Sequence, residues 1–429
     1  MLWLIIGYLF LFIFRPYEYW PILGDFRIER IYMILLLLSV FASKQKRYIP
    51  HDITRAALLF FASMVVSGIF ARHGVEAFDQ CFEYSKLLVF YFVIILCLRD
   101  EVDLKKFLFA YLMIMLLYVG KSEWEFFVND RYTYRMGIKR LGGIDITFGD
   151  PNYLSASIAY SLPFLWAMLR GVAESPWSRR LLYGYGVMAA VAMIFTGSRS
   201  GMVTILFFLI LVWLGSKRKL LGMMALIVML GGTWGMMPES YQIRFMSVVV
   251  EGSADEAGQK GAEESAKGRK EGLLHGIKVF KQYPLTGIGT GNIAYSWGGT
   301  TFDEKGMKTH NLYGILLGEL GAIGFLSFSL FVGLILVTNW RSQRQIRQQM
   351  QPESSSDPPD VKGKRLLHLS YLATACTQAI LLLLFNGNFG HNLYRYTWLW
   401  LGAITVLISY FLTQSATKSE EPQSWGTLQ

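Results

Sequence analysis

The chain has 429 residues, of which 53% are hydrophobic. Soluble domains contain about 45–50% apolar residues even with glycine counted, so this composition excludes an ordinary soluble fold. The net charge of +10 does not indicate nucleic-acid binding, because the lysines and arginines lie in short loops between apolar blocks and form no basic face. The three cysteines and six histidines match neither a disulfide framework nor a metal motif, so no metal and no cofactor are expected.

The first apolar block, Met1–Phe14, lacks the basic residues and the cleavage site of a signal peptide, so we interpret it as a retained span. Further blocks about as long as a bilayer is thick follow it. Together they predict an all-α fold, a polytopic membrane helix bundle of about 12 transmembrane helices in one domain over residues 1–429. The predicted spans are 1–14, 31–43, 55–71, 84–98, 104–120, 152–169, 181–197, 200–216, 219–237, 310–339, 366–386 and 393–413.

Two long polar segments separate the last spans. Residues 238–309 form a predicted extracytoplasmic loop between spans nine and ten, and Leu273, Leu274, Ile277 and Phe280 in it follow helical spacing. We therefore expect an ordered helix there that packs on the bundle. Residues 340–365 are rich in Gln, Ser, Pro and charge, which is typical of a disordered cytoplasmic linker loop.

Basic residues predict the orientation. With both termini cytoplasmic, 20 lysines and arginines lie on the cytoplasmic side of the membrane. On the outer side there are 12, when those in the long loop 238–309 are not counted. Long loops cross the membrane largely regardless of their charge, so the comparison of 20 with 12 decides. We expect a multi-pass protein of the bacterial inner membrane, in contact with membrane lipid, with the long loop on the outer face.

The sixth predicted span opens with Asp150-Pro151-Asn152. Aspartate before proline is ordinary helix capping, and this interpretation is favoured. Asp150 and Asn152 are nevertheless candidate substrate-binding residues, because they lie on the same predicted face as the cations described next.

Two arginines are candidates for binding an anion. Arg199 lies in T-G-S-R-S-G between two spans; the tight turn requires the glycines but not the arginine. A snorkelling arginine at the membrane interface is the alternative. Arg269 lies in the long loop, flanked by Lys267 and Lys270, which makes a simple solvated charge an alternative. A guanidinium fork beside helix N–H groups is suited to phosphate.

The run Tyr283–Asn292, Y-P-L-T-G-I-G-T-G-N, is rich in glycine but does not match a nucleotide-binding fingerprint. We expect a tight turn with exposed N–H groups leading back to the membrane, with Asn292 as a candidate substrate-binding residue.

Span ten begins with His310 and Asn311. An imidazole titrates near neutral pH, so His310 is the candidate general base, with a satisfied interfacial histidine as the alternative. Asn311 either orients a substrate or caps the helix. Glu319 lies deeper in the span, where a carboxylate needs a partner; we expect an arginine from another span and include Glu319 among the substrate-binding candidates.

Four motifs follow one another over residues 145–330: F-G-D-P-N-Y (148–153), T-G-S-R-S-G (196–201), G-R-K-E-G with Y-P-L-T-G-I-G-T-G-N (268–292), and H-N-L-Y-G-I-L-L-G-E-L-G (310–321). With the long loop, this order resembles the O-antigen ligase and polymerase superfamily of bacterial envelope glycan assembly, which includes protein O-oligosaccharyltransferases.

The resemblance implies a GT-C-like, metal-independent transferase that takes a glycan from an undecaprenyl-pyrophosphate carrier on the periplasmic face. Arg199 and Arg269 match the arginines that hold the pyrophosphate, and His310 matches the histidine that handles the acceptor hydroxyl. Arg244 and Lys308 also lie near these motifs. The acceptor is lipid A–core, another lipid-linked glycan or a protein hydroxyl in different members, and the motifs do not distinguish between them.

Two other functions remain as alternatives. A secondary transporter of a small anion or solute would suit twelve spans with a basic loop between spans ten and eleven. Transporters, however, usually contain repeated halves, whereas the polar candidates here crowd one half and one face. A scaffold subunit of an export complex is the third possibility.

Overall fold

The computed structural model describes residues 1–43, 47–135, 137–145, 149–171, 175–246, 256–296, 310–350 and 361–420. These residues form an almost entirely helical protein. The helices are α1 (Leu2–Phe14), α2 (Pro16–Tyr19), α3 (Pro21–Asp25), α4 (Ile28–Ala42), α5 (Asp52–Ile69), α6 (Gly74–Cys97), α7 (Glu101–Phe127), α8 (Pro151–Gly171), α9 (Pro176–Phe195), α10 (Arg199–Gly215), α11 (Lys219–Met236), α12 (Glu239–Met246), α13 (Glu256–Gln282), α14 (Leu312–Gln349), α15 (Val361–Asn386) and α16 (Thr397–Glu420). A 3-10 turn covers Ile293–Ser296, and β1 (Thr133–Arg135) pairs antiparallel with β2 (Ile138–Arg140).

The structure confirms the all-α membrane fold, and each predicted span coincides with a helix. Within the described residues, six helical stretches are long and apolar enough to cross a membrane, and α10 is a shorter apolar helix. The six stretches are Leu2–Tyr19, Asp52–Ile69, Gly74–Cys97, Leu312–Gln349, Gly363–Asn386 and Thr397–Gln414. The count of twelve spans therefore stays a prediction.

The segment 340–365 departs from expectation. Helix α14 stays helical to Gln349, and α15 already begins at Val361. The predicted disordered linker over 340–365 is therefore wrong for its first ten residues, which extend α14, and residues 351–360 lie outside the described part. The helix continues because R-S-Q-R-Q-I-R-Q-Q contains good helix formers and no glycine or proline.

One end of the bundle is held together by arginine. Arg47, before α5, donates to the backbone carbonyls of Leu98 (3.4 Å) and Arg99 (3.0 Å) after α6. Its guanidinium also lies 4.2 Å from the ring centroid of Tyr410 in α16. Cations next to exposed carbonyls stabilise helix C-termini. The α4–α5 connection, the end of α6 and the end of α16 therefore share this end of the bundle.

The candidate residues lie at the other end. There the backbone N–H of Leu312, which starts α14, donates to the carbonyl of Gly387 after α15 (2.7 Å). The N–H of Leu141, after β2, donates to the carbonyl of Phe195 at the end of α9 (2.8 Å). The sheet and the helix ends that bear the motifs thus converge, and we call this the site end.

Helix α13 packs on α14 through glycine. A Cβ on Gly276 would overlap the carbonyl oxygen of Gly314, and a Cβ on Gly314 would lie 2.6 Å from the carbonyl oxygen of Gly272. Close backbone approach of this kind requires residues without side chains. The packing face of α13 is therefore centred on Gly272, Gly276 and Val279, whereas Leu274 from the predicted apolar face is 54% exposed.

Helix α14 is interrupted at Gly321, whose φ is +60°. The interruption frees backbone groups that the turn after α13 then uses. The N–H groups of Ile288 and Gly289 donate to the carbonyls of Gly318 (3.0 Å) and Glu319 (3.1 Å). In return, the N–H of Ala322 donates to the carbonyl of Pro284 (2.8 Å). The glycine-rich turn is thus fastened into a membrane helix, which is possible because each freed group finds a partner.

Candidate functional site

Arg199 is the first residue of α10. Ser198 caps this helix, because its hydroxyl accepts from the backbone N–H of Gly201 (3.2 Å), and Gly197 has a φ of +54°. This turn places the partly buried Arg199 at the positive end of the α10 dipole. A helix N-terminus with free N–H groups and a positive dipole end favours an anion, and the anion-binding role of Arg199 stays a prediction.

Arg140 holds this turn by hydrogen bonds. It is only 3% exposed, and its Nε donates to the carbonyl oxygen of Thr196 (2.7 Å) while its NH2 donates to Oδ1 of Asn152 (2.9 Å). The Ser198 hydroxyl donates to the same oxygen (2.9 Å). Asn152, a candidate substrate-binding residue, therefore already has partners in the protein and holds the turn before Arg199.

Burial lowers the pKa of Arg140 to about 10. The charges of Arg135 and Arg199 contribute to this lowering of the pKa, whereas the carboxylate of Asp150 opposes it. The guanidinium stays charged at neutral pH, but its charge is opposed by like charges around it.

Arg244 approaches the same turn from α12. Its Nε donates to the carbonyl oxygen of Gly197 (2.7 Å). Burial lowers the pKa of Arg244 to about 9, and the next contributions come from the charges of Arg140 and Arg199. Arg244 is thus part of the same positively charged region, which the sequence had indicated only by proximity along the chain.

Arg269 reaches the region from α13. Burial lowers its pKa, and the positive charge of Arg199 contributes to this lowering. The Arg269 guanidinium lies 5.7 Å from the ring centroid of Phe389. By contrast, its neighbours Lys267 and Lys270 are exposed, and Lys308 lies outside the described residues.

We call Arg140, Arg199, Arg244 and Arg269 the arginine cluster. Like charges brought together in this way repel one another, and a multiply charged anion would relieve the repulsion. The cluster is therefore suited to a ligand such as a pyrophosphate more than to a neutral one.

His310 lies beside the N-terminus of α14 and is exposed. Its ring centroid is 5.5 Å from that of His391, in the connection between α15 and α16. His391 in turn shares a short hydrogen bond, through Nε2, with the hydroxyl of Tyr153 in α8. The two imidazoles and Tyr153 thus form a group. His391, in this group, is two residues after Phe389, which the Arg269 guanidinium contacts.

Asn311 caps helix α14, which is one of the two roles that the sequence left open for it. Its Oδ1 accepts from the N–H groups of Tyr313 and Gly314 (3.0 Å each), and its side chain is 3% exposed. This cap fixes the start of α14 and with it the position of His310.

Glu319 has partners other than the predicted arginine. Its carboxylate accepts from the N–H groups of Gly291 (2.8 Å) and Ile293 (3.2 Å) and from the hydroxyl of Tyr394 (2.5 Å). The prediction of an arginine partner is therefore wrong. The reason is that the glycine-rich turn folds back far enough for its N–H groups to reach the carboxylate.

The turn Tyr283–Asn292 likewise does not expose the row of N–H groups that we expected. The amides of Ile288, Gly289 and Gly291 donate to α14, as described above. Asn292 is 2% exposed and bonds to the backbone of His73 through both its Oδ1 (2.9 Å) and its Nδ2 (3.2 Å). Asn292 and Glu319 thus join elements of the site end.

Asp150 is exposed and accepts from the backbone N–H of Asn152 (2.7 Å) at the start of α8. It also lines a polar surface cavity of about 210 Å³, together with Asp145, Tyr132 and Thr133. Phe148, from the same motif, lies outside the described residues.

Sequence reasoning missed His391. One signal was available: the tetrapeptide His-Asn-Leu-Tyr occurs at 310–313 and again at 391–394. The two copies meet in the structure at His310 and His391. Tyr394 of the second copy also donates to Glu319, further along α14. Arg140 was missed because a loop arginine 59 residues before Arg199 carries no local signal of its burial.

Residues 184–329 match the model of the O-antigen ligase family. The matched region contains Arg199, Arg244, Arg269 and His310. No curated protein matches the chain. The family match covers three of the four motifs, supports the resemblance drawn from them and supports a membrane protein of polysaccharide biosynthesis.

Proposed function

We propose that this member of the O-antigen ligase superfamily transfers a glycan from an undecaprenyl-pyrophosphate carrier to a hydroxyl acceptor, on the periplasmic face of the bacterial inner membrane. One observation carries the proposal: four arginines from separate elements gather around one helix N-terminus, close to a pair of histidines.

The arginine cluster would bind the donor. In the transfer, the bond between the anomeric carbon and the pyrophosphate oxygen breaks, and negative charge grows on the leaving pyrophosphate. Arg199 and Arg269 would stabilise that charge with bidentate hydrogen bonds. Arg140 and Arg244 already donate to backbone carbonyls, so their contribution would be positive potential and a rigid turn.

His310 would act on the acceptor. The acceptor oxygen forms the new bond to the anomeric carbon and loses its proton, which the imidazole of His310 would take. The undecaprenyl pyrophosphate would leave with the electron pair of the broken bond. Asn311 and the neighbouring His391 would keep His310 in place, because one caps its helix and the other lies against its ring.

Transfer can be measured directly. The full-length protein in proteoliposomes is given an undecaprenyl-pyrophosphate glycan together with lipid A–core, a second lipid-linked glycan or a protein acceptor. Glycan should appear on one of these acceptors and free undecaprenyl pyrophosphate should accumulate. Solute or anion flux without any transfer would instead favour the transporter.

A deletion strain distinguishes the acceptors. Loss of long surface polysaccharide with single units retained would indicate a polymerase. Accumulation of lipid-linked polymer that is not attached to its final acceptor would indicate a ligase.

A further inference from the structure

Arg395 is a partly buried cation in the connection between α15 and α16. Its NH2 makes two long hydrogen bonds, to the carbonyl oxygen of Tyr153 (3.4 Å) and to the hydroxyl of Ser157 (3.3 Å). Its Nε is buried and has no hydrogen-bond partner. Throughout the described ranges, no carboxylate pairs with this guanidinium.

The surroundings of Arg395 are aromatic and neutral. The guanidinium lies 5.0 Å from the ring centroid of Tyr153 and 5.6 Å from that of Tyr160. Asn392, three residues earlier, is 3% exposed and its Oδ1 has no hydrogen-bond partner. A partly buried cation without a counter-ion is costly, and at the end of a membrane bundle such a residue is a candidate for binding a ligand.

Arg395 has other partners than the arginine cluster, whose Arg140 and Arg244 bond to the turn before α10. The ring of Tyr153 lies against the Arg395 guanidinium, and the Tyr153 hydroxyl bonds to His391. His391 and His310 are therefore flanked by two different sources of positive charge.

We propose that Arg395 binds an oxyanion, a phosphate or a carboxylate, on the glycan acceptor. Assigning this anion to the acceptor rests on the proposed function, in which the arginine cluster is occupied by the pyrophosphate of the donor. The partly exposed guanidinium donates to the oxyanion, whose charge offsets the cost of leaving the Arg395 Nε without a partner.

Ligand binding tests the site without requiring turnover. The full-length protein in detergent is titrated with glucose 1-phosphate, glucuronate, glucose and inorganic pyrophosphate. Replacing Arg395→Gln should raise the Kd of the anionic sugar about 10–100-fold, as for the loss of a charged hydrogen bond. Glucose and pyrophosphate should bind as in the wild type. Whether glucose 1-phosphate or glucuronate is affected tells a phosphate from a carboxylate.

Arg170→Gln is the matched control, because Arg170 also lies over two aromatic rings, those of Trp166 (5.1 Å) and Tyr371 (5.6 Å), but at the opposite end of α8. It should leave every titration unchanged. Ser157→Asp is the second variant: it places a carboxylate within reach of Arg395 and should abolish binding of the anionic sugar while keeping the arginine.

Two results would overturn the proposal: equal binding of both anionic sugars by the wild type and Ser157→Asp, or no binding of either by the wild type. If binding depends on Arg395 but no glycan transfer occurs, the anion site stands and the glycan transferase function fails.

Discussion

Lysine could not replace arginine at the turn before α10, because the guanidinium groups of Arg140 and Arg244 hold this turn by hydrogen bonds in fixed directions. Arg140 binds a backbone carbonyl and an amide oxygen at the same time, with Nε and NH2 on different partners. Arg244 holds the adjacent carbonyl. Two neighbouring carbonyls of the turn, those of Thr196 and Gly197, are thus held by guanidiniums.

We predict that Arg199→Ala lowers kcat of glycan transfer by at least about 10²-fold, as for the loss of a group that stabilises charge in the transition state. Arg199→Lys should recover little, because an ammonium does not reproduce bidentate contact with phosphate oxygens. Transfer in proteoliposomes measures both. Arg55→Ala, at an exposed residue paired with Asp52, is the control; full activity of Arg199→Lys would contradict the prediction.

His310 is the second residue whose role can be measured. His310→Ala should reduce turnover by about 10²–10⁴-fold, while pyrophosphate binding stays near the wild-type value because the arginine cluster is intact. The wild-type rate should also fall toward acidic pH, since a protonated imidazole cannot accept a proton. Normal turnover of the alanine variant with an unchanged pH profile would remove His310 from the mechanism.

At the scale of elements, the crossing of α13 and α14 carries Arg269 to the site end. Gly276→Ala should lower Tm, because the added methyl group meets the backbone of Gly314 and not a flexible side chain; overpacking of this kind costs about 1–3 kcal/mol. Thermal unfolding of the purified protein measures it.

Gly268→Ala is the control within the same helix, since nothing lies within 4 Å of a Cβ there. It should leave Tm unchanged or raise it, because alanine favours helix by about 1 kcal/mol over glycine. A Tm for Gly276→Ala equal to that of Gly268→Ala would show that the close approach does not matter.

The helices were predictable from sequence because apolar blocks of bilayer length have few other folds. The places of Arg199 and His310 at helix starts were predictable because polar segments meet apolar blocks there, while their roles stay predictions. The partner of Glu319 was not: it depends on how the glycine-rich turn re-enters α14 at Gly321, and no local pattern encodes that contact. His391 was hidden because its partner His310 is far away along the chain.

At the scale of the whole molecule, the two ends of the bundle differ in what they carry. The site end carries the arginine cluster, and the other end carries Arg47 on helix carbonyls and an ion pair of Arg365 with Glu101. Residues 247–255 follow α12 in the chain, and α12 lies at the site end. Residues 351–360 come between the end of α14 and the start of α15, which are the helix ends away from the site end. The bias of 20 basic residues against 12 predicts that the latter end faces the cytoplasm.

Reporter fusions test this orientation. A periplasm-active reporter should function after Ala254 and fail after Ser355, because long loops cross regardless of charge while short basic ones stay inside. A third fusion after Ala173, between α8 and α9, should behave like the fusion after Ser355, since α8 starts at the site end and runs to the other. If the fusions after Ala254 and Ser355 report the same side, the orientation or the count of twelve spans is wrong. The arginine cluster would then lack access to a donor presented on the periplasmic face.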